Sequence, residues 1–257
     1  MQLDRALQFA GKVVLVTGGG SGLGRAAVEL LASAGADVAV ADIDHERGEE
    51  VAERARGLGA DAVFVATDVT REDEIAALVR QVIDRWGRLD GALNNAGMVG
   101  PAKPTAEYTL DEWNTVVALN LTSVFLCLRH EIPVMVRQGK GAIVNTSSGA
   151  GLVGFPGLPA YVATKHGVIG LTRAAALEYV AAGVRINAVC PGSTRTPMLE
   201  GFMGGNPEIE RAMEHSAPIG RLANAEEIAH AMCWLLSDAA SFVVGHAFAV
   251  DGGAVIQ

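Results

Sequence analysis

The sequence predicts an α/β fold, with one domain built on a doubly wound parallel sheet of about seven strands and helices on both faces. Short, uniformly apolar runs alternate with longer amphipathic segments, as in sheets that are buried on both sides. Half of the 257 residues are hydrophobic, so a large core can form. No Pro/Ser-rich linker, repeat or low-complexity block interrupts the pattern, and we expect a single domain over residues 1–257.

The elements are assigned in chain order from the two periodicities of the pattern. Runs of valine, alanine, isoleucine and leucine predict strands at residues 13–17, 38–42, 62–67, 89–94, 142–146, 184–189 and 247–250. Apolar residues at helical spacing between these strands predict helices at residues 22–34, 45–58, 72–86, 110–137, 161–181 and 225–237. Pro133 is expected to kink or shorten the 110–137 helix, and residues 197–222 are expected to be irregular or helical.

The charge balance excludes several classes of partner. Lys and Arg number 20 and Asp and Glu number 29, which gives a formal net charge of −9. A chain this acidic lacks the basic surface of nucleic-acid-binding proteins and is not attracted to anionic membranes. One uncharged stretch, residues 141–164, holds five glycines and two prolines. It is interpreted as a strand followed by a loop rather than as a membrane helix.

Cysteine and histidine usage indicates a reduced compartment and no metal site. Cys127, Cys190 and Cys233 are widely spaced and form no CxxC pair, which favours a cytoplasmic protein without disulfides. The first ten residues lack the apolar core of a signal peptide. The six histidines show no ligand spacing such as HExxH, so no metal is expected.

A glycine-rich turn follows the first strand and opens the first helix. Residues 17–24 read TGGGSGLG, which fits the spacing TGxxxGxG at Gly18, Gly22 and Gly24 but not the spacing GxGxxG. Glycine lets the backbone approach a pyrophosphate, and the helix N-terminus offers free N–H groups. The turn is therefore a candidate phosphate site, and simple turn formation is the alternative.

The second strand ends in a carboxylate, Asp42, which lies 20 residues after Gly22. An acid at this position accepts hydrogen bonds from the adenosine ribose and repels a 2′-phosphate. No Lys or Arg stands at residues 19–21 or at Ile43, so NAD is predicted and NADP is disfavoured. The alternative is that Asp42 only caps the next helix.

Tyr161 and Lys165 are four residues apart, so they share one helix face. A neighbouring ammonium favours the phenolate and would make the tyrosine a usable acid–base group. The pair follows an uncharged segment, and Ser148 lies 13 residues before Tyr161. These residues are a candidate catalytic set.

These features occur in a fixed order along the chain. TGGGSGLG at 17–24 is followed by Asp68-Val69, Asn94-Asn95-Ala96-Gly97, Asn120, Ser148, Tyr161-x-x-x-Lys165, Pro191-Gly192 and Asp251-Gly252-Gly253. With these motifs, residues 9–255 resemble the short-chain dehydrogenase/reductase family. The resemblance implies a Rossmann-type fold and hydride transfer between a nicotinamide dinucleotide and an alcohol or ketone.

The resemblance implies roles for individual residues. Tyr161 would be the general acid–base, Ser148 would hydrogen-bond the substrate oxygen, and Asn120 would hold a water of the proton relay. Lys165 would bind the nicotinamide ribose and lower the pKa of Tyr161. Asp68 and Val69 would contact the adenine, and Thr196 would contact the carboxamide. The implied cofactor contacts, apart from Tyr161 and Lys165, are Gly18, Ser21, Gly22, Leu23, Gly24, Asp42, Asp68, Val69, Asn95, Ala96, Gly97, Pro191, Gly192, Thr194 and Thr196. At Thr194 the family often has Val or Ile.

The family's substrate lid corresponds here to residues 197–222, where Met198, Leu199, Phe202 and Met203 are near helical spacing and predict one apolar face. The predicted substrate pocket consists of Met98, Leu152, Phe155, Met198, Phe202 and Met203. Such a wall favours uncharged cyclic or aryl secondary alcohols and their ketones. The alternative is that these side chains only pack in the core or between subunits.

The leading hypothesis is therefore an NAD(H)-dependent secondary-alcohol dehydrogenase or ketone reductase. Alternatives are a 3-oxoacyl-thioester (acyl carrier protein) reductase and a nucleotide-binding regulator without catalysis. Asp42 disfavours the first alternative, and the complete set of Asn120, Ser148, Tyr161 and Lys165 disfavours the second. The resemblance also implies a homotetramer that pairs the helices near 110–137 and 161–181, with Ala174, Ala175 and Ala176 allowing close approach.

Overall fold

The computed structural model describes residues 8–256. Its sheet has seven strands in the spatial order β3-β2-β1-β4-β5-β6-β7, and every pairing is parallel. The strands are β1 (Val13–Thr17), β2 (Asp37–Asp42), β3 (Ala62–Ala66), β4 (Gly91–Asn94), β5 (Gly141–Thr146), β6 (Val184–Pro191) and β7 (Ala247–Val250). The doubly wound parallel sheet that the sequence predicts is therefore confirmed.

Helices connect the strands and cover both faces of the sheet. They are α1 (Gly22–Ser33), α2 (His45–Gly57), α3 (Glu72–Trp86), α4 (Leu110–Val117), α5 (Ser123–Gln138), α6 (Pro159–Tyr179), α7 (Pro197–Met203), α8 (Pro207–Glu214) and α9 (Ala225–Leu236). One core lies among α1, α2, α9 and the sheet, and the other lies among α3, α5, α6 and the opposite face. Within β1, Val14 and Val16 belong to the first core, whereas Val13 and Leu15 belong to the second.

The strand order reverses at β1, which has β2 on one side and β4 on the other. The connections that follow β1 and β4 therefore leave the sheet in opposite directions and open a crevice at the carboxyl ends of the strands. In open α/β sheets, ligands bind in this crevice. Thr17 at the end of β1 pairs with Asn94 at the end of β4, and Asn94 pairs in turn with Asn145 of β5.

Several boundaries and contacts differ from the predictions. Helix α6 begins at Pro159, so Tyr161 lies in its first turn. Pro133 does not shorten its helix, because it lies on the exposed side of α5, which continues to Gln138. Ala175 and Ala176 are buried in the core of the subunit, so of the three alanines only Ala174 is exposed. The expectation about a signal peptide concerns a segment of which residues 1–7 lie outside the described residues.

Helices α4 and α5 form one continuous helix through a π-helical turn at Ala118–Thr122. By length and composition alone, Leu110–Gln138 is apolar enough to cross a membrane, with a mean hydropathy of 1.2 in an 18-residue window. However, half of this window is buried in the fold, and α5 packs against α3 and α6. The segment has the features of a core helix.

Candidate active site

The glycine-rich turn after β1 forms a cradle that leaves no space for side chains. Gly18 and Gly22 have φ values of 62° and 50°, which L side chains rarely adopt. A Cβ atom at Gly24 would lie 2.0 Å from the carbonyl oxygen of Gly18. Ser21 precedes α1, and no side chain caps the first N–H groups of this helix. Leu23 packs on the core beneath. The turn and the helix N-terminus fit a pyrophosphate group.

Asp42 lies against this cradle at the end of β2. Its two carboxylate oxygens accept hydrogen bonds from the N–H of Gly20 at 2.8 Å and of Asp44 at 3.0 Å. The alternative that Asp42 caps the next helix is wrong, because Asp44 caps α2 by accepting a bond from Arg47 N–H. The carboxylate of Asp42 is thereby fixed beside the phosphate turn, where a ribose would follow the pyrophosphate.

The turn after β4 is tied to the same cradle. The hydroxyl of Thr17 accepts a hydrogen bond from Asn95 N–H at 3.0 Å, and the amide of Asn95 donates to the carbonyl of Gly18 at 3.2 Å. Gly18 also lies close to Ala96. A Cβ atom added at Gly18 would lie 2.9 Å from Ala96 Cα. Two adjacent loops of the crevice therefore hold each other in place.

Ser148, Tyr161 and Lys165 come together as the sequence predicts. The hydroxyl of Ser148 faces the phenol of Tyr161 closely enough to lower its pKa. Ser148 follows β5 and also caps a short 3₁₀ turn by accepting a bond from Ala150 N–H. Lys165 is only 4% exposed, and its ammonium donates to the carbonyl of Thr146 at 2.9 Å. The lysine Nζ lies 5.5 Å from the centre of the Tyr161 ring.

Lys165 is expected to lower the pKa of Tyr161, but in the structure this pKa is raised. Burial raises the pKa of the phenol above its ordinary value of 10.0, and the neighbouring Ser148 hydroxyl only partly opposes this effect. Burial also lowers the pKa of Lys165 to about 8, and the Cys190 thiol opposes this shift. In this structure the lysine charge is therefore directed to Thr146, and desolvation dominates at both groups.

Asn120 is buried in the π-helical turn, and its side chain is bonded to the loop after β4. Its amide oxygen accepts a hydrogen bond from Met98 N–H at 2.8 Å, and its amide nitrogen donates to the carbonyl of Met98 at 2.7 Å. The side chain therefore clamps the loop after β4. A Cβ atom at Gly97 would lie 3.1 Å from Asn120 Oδ1 and 3.6 Å from Lys165 Nζ.

The remaining predicted cofactor residues lie on the loops after β3 and β6. Asp68 accepts hydrogen bonds from the N–H and hydroxyl of Thr70 through one carboxylate oxygen, and Val69 is buried. Beyond Pro191, the hydroxyl of Thr194 donates to the carbonyl of Gly192, so this side chain is buried and occupied. Thr196 caps α7, and its methyl group would lie 3.3 Å from a Cβ atom at Gly22. The loop after β6 therefore reaches the phosphate turn.

The predicted pocket residues are distributed over three segments. Met98 is held through its backbone by Asn120. Leu152 packs on a small cluster of Ile169, Ala188 and Cys190. In α7 and its neighbourhood, Met198 is 45% exposed, Phe202 and Leu199 are half-buried, and Met203 is buried. Phe155 is 41% exposed on the loop after Ser148. The loops on the two sides of the crevice meet through a hydrogen bond from Lys103 N–H to the carbonyl of Gly157.

Sequence reasoning missed several polar residues beneath the site. The carbonyl of Thr146 holds Lys165, and Thr17 holds the Asn95 turn. A fully buried Glu131 in α5 accepts a hydrogen bond from Asn94 at 3.0 Å. Thr17 stands within a quoted motif and could have been found there, whereas nothing in the helical pattern marks Glu131 as buried. Among residues 8–256, no group of three or more His, Cys, Asp or Glu side chains could hold a metal ion.

Comparisons with known proteins agree with this geometry. A family model described as enoyl-(acyl carrier protein) reductase matches residues 18–255. The chain is 47% identical over 246 residues to 2,5-dichloro-2,5-cyclohexadiene-1,4-diol dehydrogenase of Sphingobium indicum, covering 95% of this chain and 97% of that protein. It is 42% identical over 245 residues to cyclohexanol dehydrogenase of an Acinetobacter species, covering 95% of each. The crystal structure of levodione reductase superposes with a TM-score of 0.95 at 40% identity, covering 97% of this chain and all of the other.

Proposed function

The chain belongs to the short-chain dehydrogenase/reductase family, and from that premise we propose that it interconverts a cyclic secondary alcohol and the corresponding ketone with NAD(H). The observation that carries this proposal is the buried set of Ser148, Tyr161 and Lys165 at the carboxyl edge of the sheet. The relatives whose names specify cyclic alcohols or diols cover nearly the whole chain, which supports a cyclic substrate.

The residues around the crevice fit a nicotinamide dinucleotide. The Gly18–Gly24 cradle would hold the pyrophosphate, Asp42 the adenosine ribose, and Lys165 the nicotinamide ribose. Val69 would lie at the adenine, and Thr196 near the carboxamide. When bound, the nicotinamide supplies the acceptor or donor for a hydride.

The proton is assigned to Tyr161 and the substrate oxygen to Ser148. In oxidation, the Tyr161 oxygen takes the hydroxyl proton of the alcohol, while the Ser148 hydroxyl holds the substrate oxygen. In reduction, Tyr161 returns a proton to the carbonyl oxygen. Burial of Tyr161 opposes ionisation of the phenol. The positive charge of Lys165, whose Nζ lies 5.5 Å from the centre of the Tyr161 ring, therefore has to support the phenolate.

Asn120 has a positioning role in this proposal. Its side chain holds the backbone of Met98 through two hydrogen bonds, which fixes the loop between the cofactor turn and the substrate. Asn120 Oδ1 has a second lone pair beyond the one that accepts from Met98 N–H, so this positioning role is compatible with the proposed role of Asn120 in holding a water of the proton relay.

NAD is proposed over NADP because of the surroundings of Asp42. The carboxylate is fixed beside Gly20, and the basic side chain nearest in sequence, Arg47, is paired with Asp44 at 3.3 Å. A 2′-phosphate would meet the carboxylate without a compensating cation. The comparison of kcat/KM for NAD and NADP tests this point, and equal or higher efficiency with NADP would contradict it.

Residues 197–222 are proposed to form a lid over the substrate. Helices α7 and α8 lie in this segment, and glycines at 204 and 205 separate them with φ values of 58° and 73°. The half-buried side chains of Leu199 and Phe202 are available as an apolar wall. The lid would exclude water when it closes over bound cofactor.

A substrate screen tests the proposed class. We expect cyclohexanols and aryl secondary alcohols to be oxidised with the highest kcat/KM, measured as NADH absorbance. Hydroxy acids and sugar phosphates are the matched charged substrates, and we expect them to be poor. A charged substrate with the highest kcat/KM would contradict the proposed apolar pocket.

Assembly and location are proposed from exposed surfaces and from the cysteines. Phe125 on α5 and Leu177 on α6 are 46% and 80% exposed, and such apolar side chains support pairing of these helices in a homotetramer. Cys127, Cys190 and Cys233 are all free thiols, which supports a cytoplasmic protein. Light scattering at micromolar concentration tests the assembly, and a mass near 27 kDa would contradict it.

A further inference from the structure

A carboxylic acid is buried beneath the cofactor crevice, where the proposed reaction does not use it. Glu131 of α5 has no exposed surface, and its nearest polar neighbours come from other elements. Its Oε2 accepts a hydrogen bond from Asn94 Nδ2 at 3.0 Å, and the same nitrogen donates to Asn145 Oδ1 at 3.0 Å. Asn145 Nδ2 then donates to the hydroxyl of Thr172 at 2.9 Å. The network thus joins β4, β5, α5 and α6.

Two buried oxygens in this network have no hydrogen-bond partner in the described part of the chain. They are Oε1 of Glu131 and Oδ1 of Asn94, and they belong to the two groups that already share one hydrogen bond. Unpaired buried acceptors are rare, because each loses its hydrogen bonds to water without replacement. A proton on Glu131 Oε1 would let the carboxyl donate to Asn94 Oδ1. The acid and the amide would then form a cyclic pair with two hydrogen bonds.

Among residues 8–256, no Lys, Arg or His side chain is paired with Glu131 to stabilise a carboxylate. The Cys127 thiol lies in the preceding turn of α5; burial and the Glu131 carboxylate raise its pKa, so it is neutral and supplies no countercharge. Strands β4 and β5 and helix α6 present Asn94, Asn145 and Thr172, which do not titrate. On the α3 side, Glu72 lies near His130 and Arg129 instead, and the buried side chains of α3 are apolar. Burial raises the pKa of Glu131 to about 7.

The network is next to the residues that would hold the cofactor. Asn94 precedes Asn95, which is bonded to Thr17 and to Gly18. Asn145 precedes Thr146, whose carbonyl holds Lys165. A change in the Glu131–Asn94 pair would therefore displace the ends of β4 and β5, where both halves of the site are anchored.

We propose that Glu131 is a positioning residue that acts as a neutral carboxylic acid and holds Asn94 in a cyclic acid–amide pair, so that the Asn95–Gly97 turn stays in place to bind cofactor. The cofactor part rests on the proposed function. The protonated state of Glu131 does not depend on it.

Glu131→Gln and Glu131→Leu test the proposal as a matched pair. Glutamine donates and accepts in the same two places without a titratable proton, so the Kd for NADH should stay within about twofold of the wild type. Leucine removes the bond between Asn94 and residue 131 and leaves Asn94 Oδ1 without a donor in the core, with only the bond to Asn145 remaining, so the Kd should rise by about tenfold to 100-fold. A glutamine variant as weak as the leucine variant would overturn the proposal.

Infrared spectroscopy provides the independent readout, and it needs neither cofactor nor a folded leucine variant. Near pH 6 the wild type should show the C=O band of a buried protonated carboxyl group, which is absent in Glu131→Gln and weakens as the pH approaches about 9. The absence of this band from the folded wild type would overturn the protonated state, whatever the result for NADH. Failure of the wild type to bind NADH, with the band present, would instead count against the proposed function.

Discussion

Replacement of Gly24 by alanine should cause most of its damage at the phosphate turn. The new Cβ atom would lie 2.0 Å from the carbonyl oxygen of Gly18 and 2.8 Å from the side-chain nitrogen Nδ2 of Asn95. Real Cβ atoms essentially never come within 3.0 Å of another atom, so the turn must move by about 1 Å. This movement would also break the hydrogen bond between Asn95 and Gly18.

A misplacement of about 1 Å in an active site can lower the rate of catalysis by up to about 100-fold. We therefore expect the Kd of Gly24→Ala for NADH, measured by fluorescence titration, to rise by about 100-fold. Overpacking should also lower the free energy of unfolding by about 1–3 kcal/mol, measured by denaturation without cofactor.

Gly57→Ala is the matched control, because a Cβ atom at Gly57 meets nothing within 4 Å and its φ is not positive. It should bind NADH as the wild type does, with stability unchanged within about 0.5 kcal/mol. Wild-type affinity for NADH in Gly24→Ala would refute the assignment of this turn as the pyrophosphate site.

Three further predictions concern the ribose, the buried acid and the lid. Asp42→Ala should raise the ratio of kcat/KM for NADP to that for NAD by about tenfold or more; an unchanged ratio would contradict the role of the carboxylate. The wild type should lose on the order of 3 kcal/mol of unfolding free energy as the pH rises from 4.5 to about 7, because the folded protein binds the Glu131 proton more tightly than the unfolded chain. The stabilisation by the Glu131 proton is complete below pH 4.5 and lost above about 7. Urea denaturation of Glu131→Gln should show no such loss of unfolding free energy between these pH values. Phe202→Ala should raise KM for cyclohexanol severalfold with a smaller change in kcat, and unaltered kinetics would place Phe202 outside the pocket.

The sheet could be predicted from the sequence because its strands are buried on both faces. Strands that are covered on both faces read as continuous apolar runs, so each expected strand has a counterpart within about two residues. Helix α5 shows the limit of such rules. Pro133 is a helix breaker in general, but here it lies on an exposed side of a helix that other contacts hold in place.

The proximity of Tyr161 and Lys165 could also be predicted, because residues four apart share one face of a helix. Their electrostatics could not, since desolvation depends on packing between elements. The sequence suggests that Lys165 lowers the pKa of Tyr161, but the fold buries both groups and raises the pKa of the phenol. In the same way, a glutamate on a helix is usually a surface residue, and only the packing of α5 shows that Glu131 is buried.

The central claim is that Tyr161 carries the proton while other residues bind the cofactor, and Tyr161→Phe tests it most directly. Phenylalanine keeps the ring beside Lys165 and removes only the phenol oxygen that faces Ser148. We predict that kcat for oxidation of cyclohexanol falls by about 100-fold to 10,000-fold, whereas the Kd for NADH changes by less than about threefold. A Tyr161→Phe enzyme that retains wild-type kcat would contradict the account.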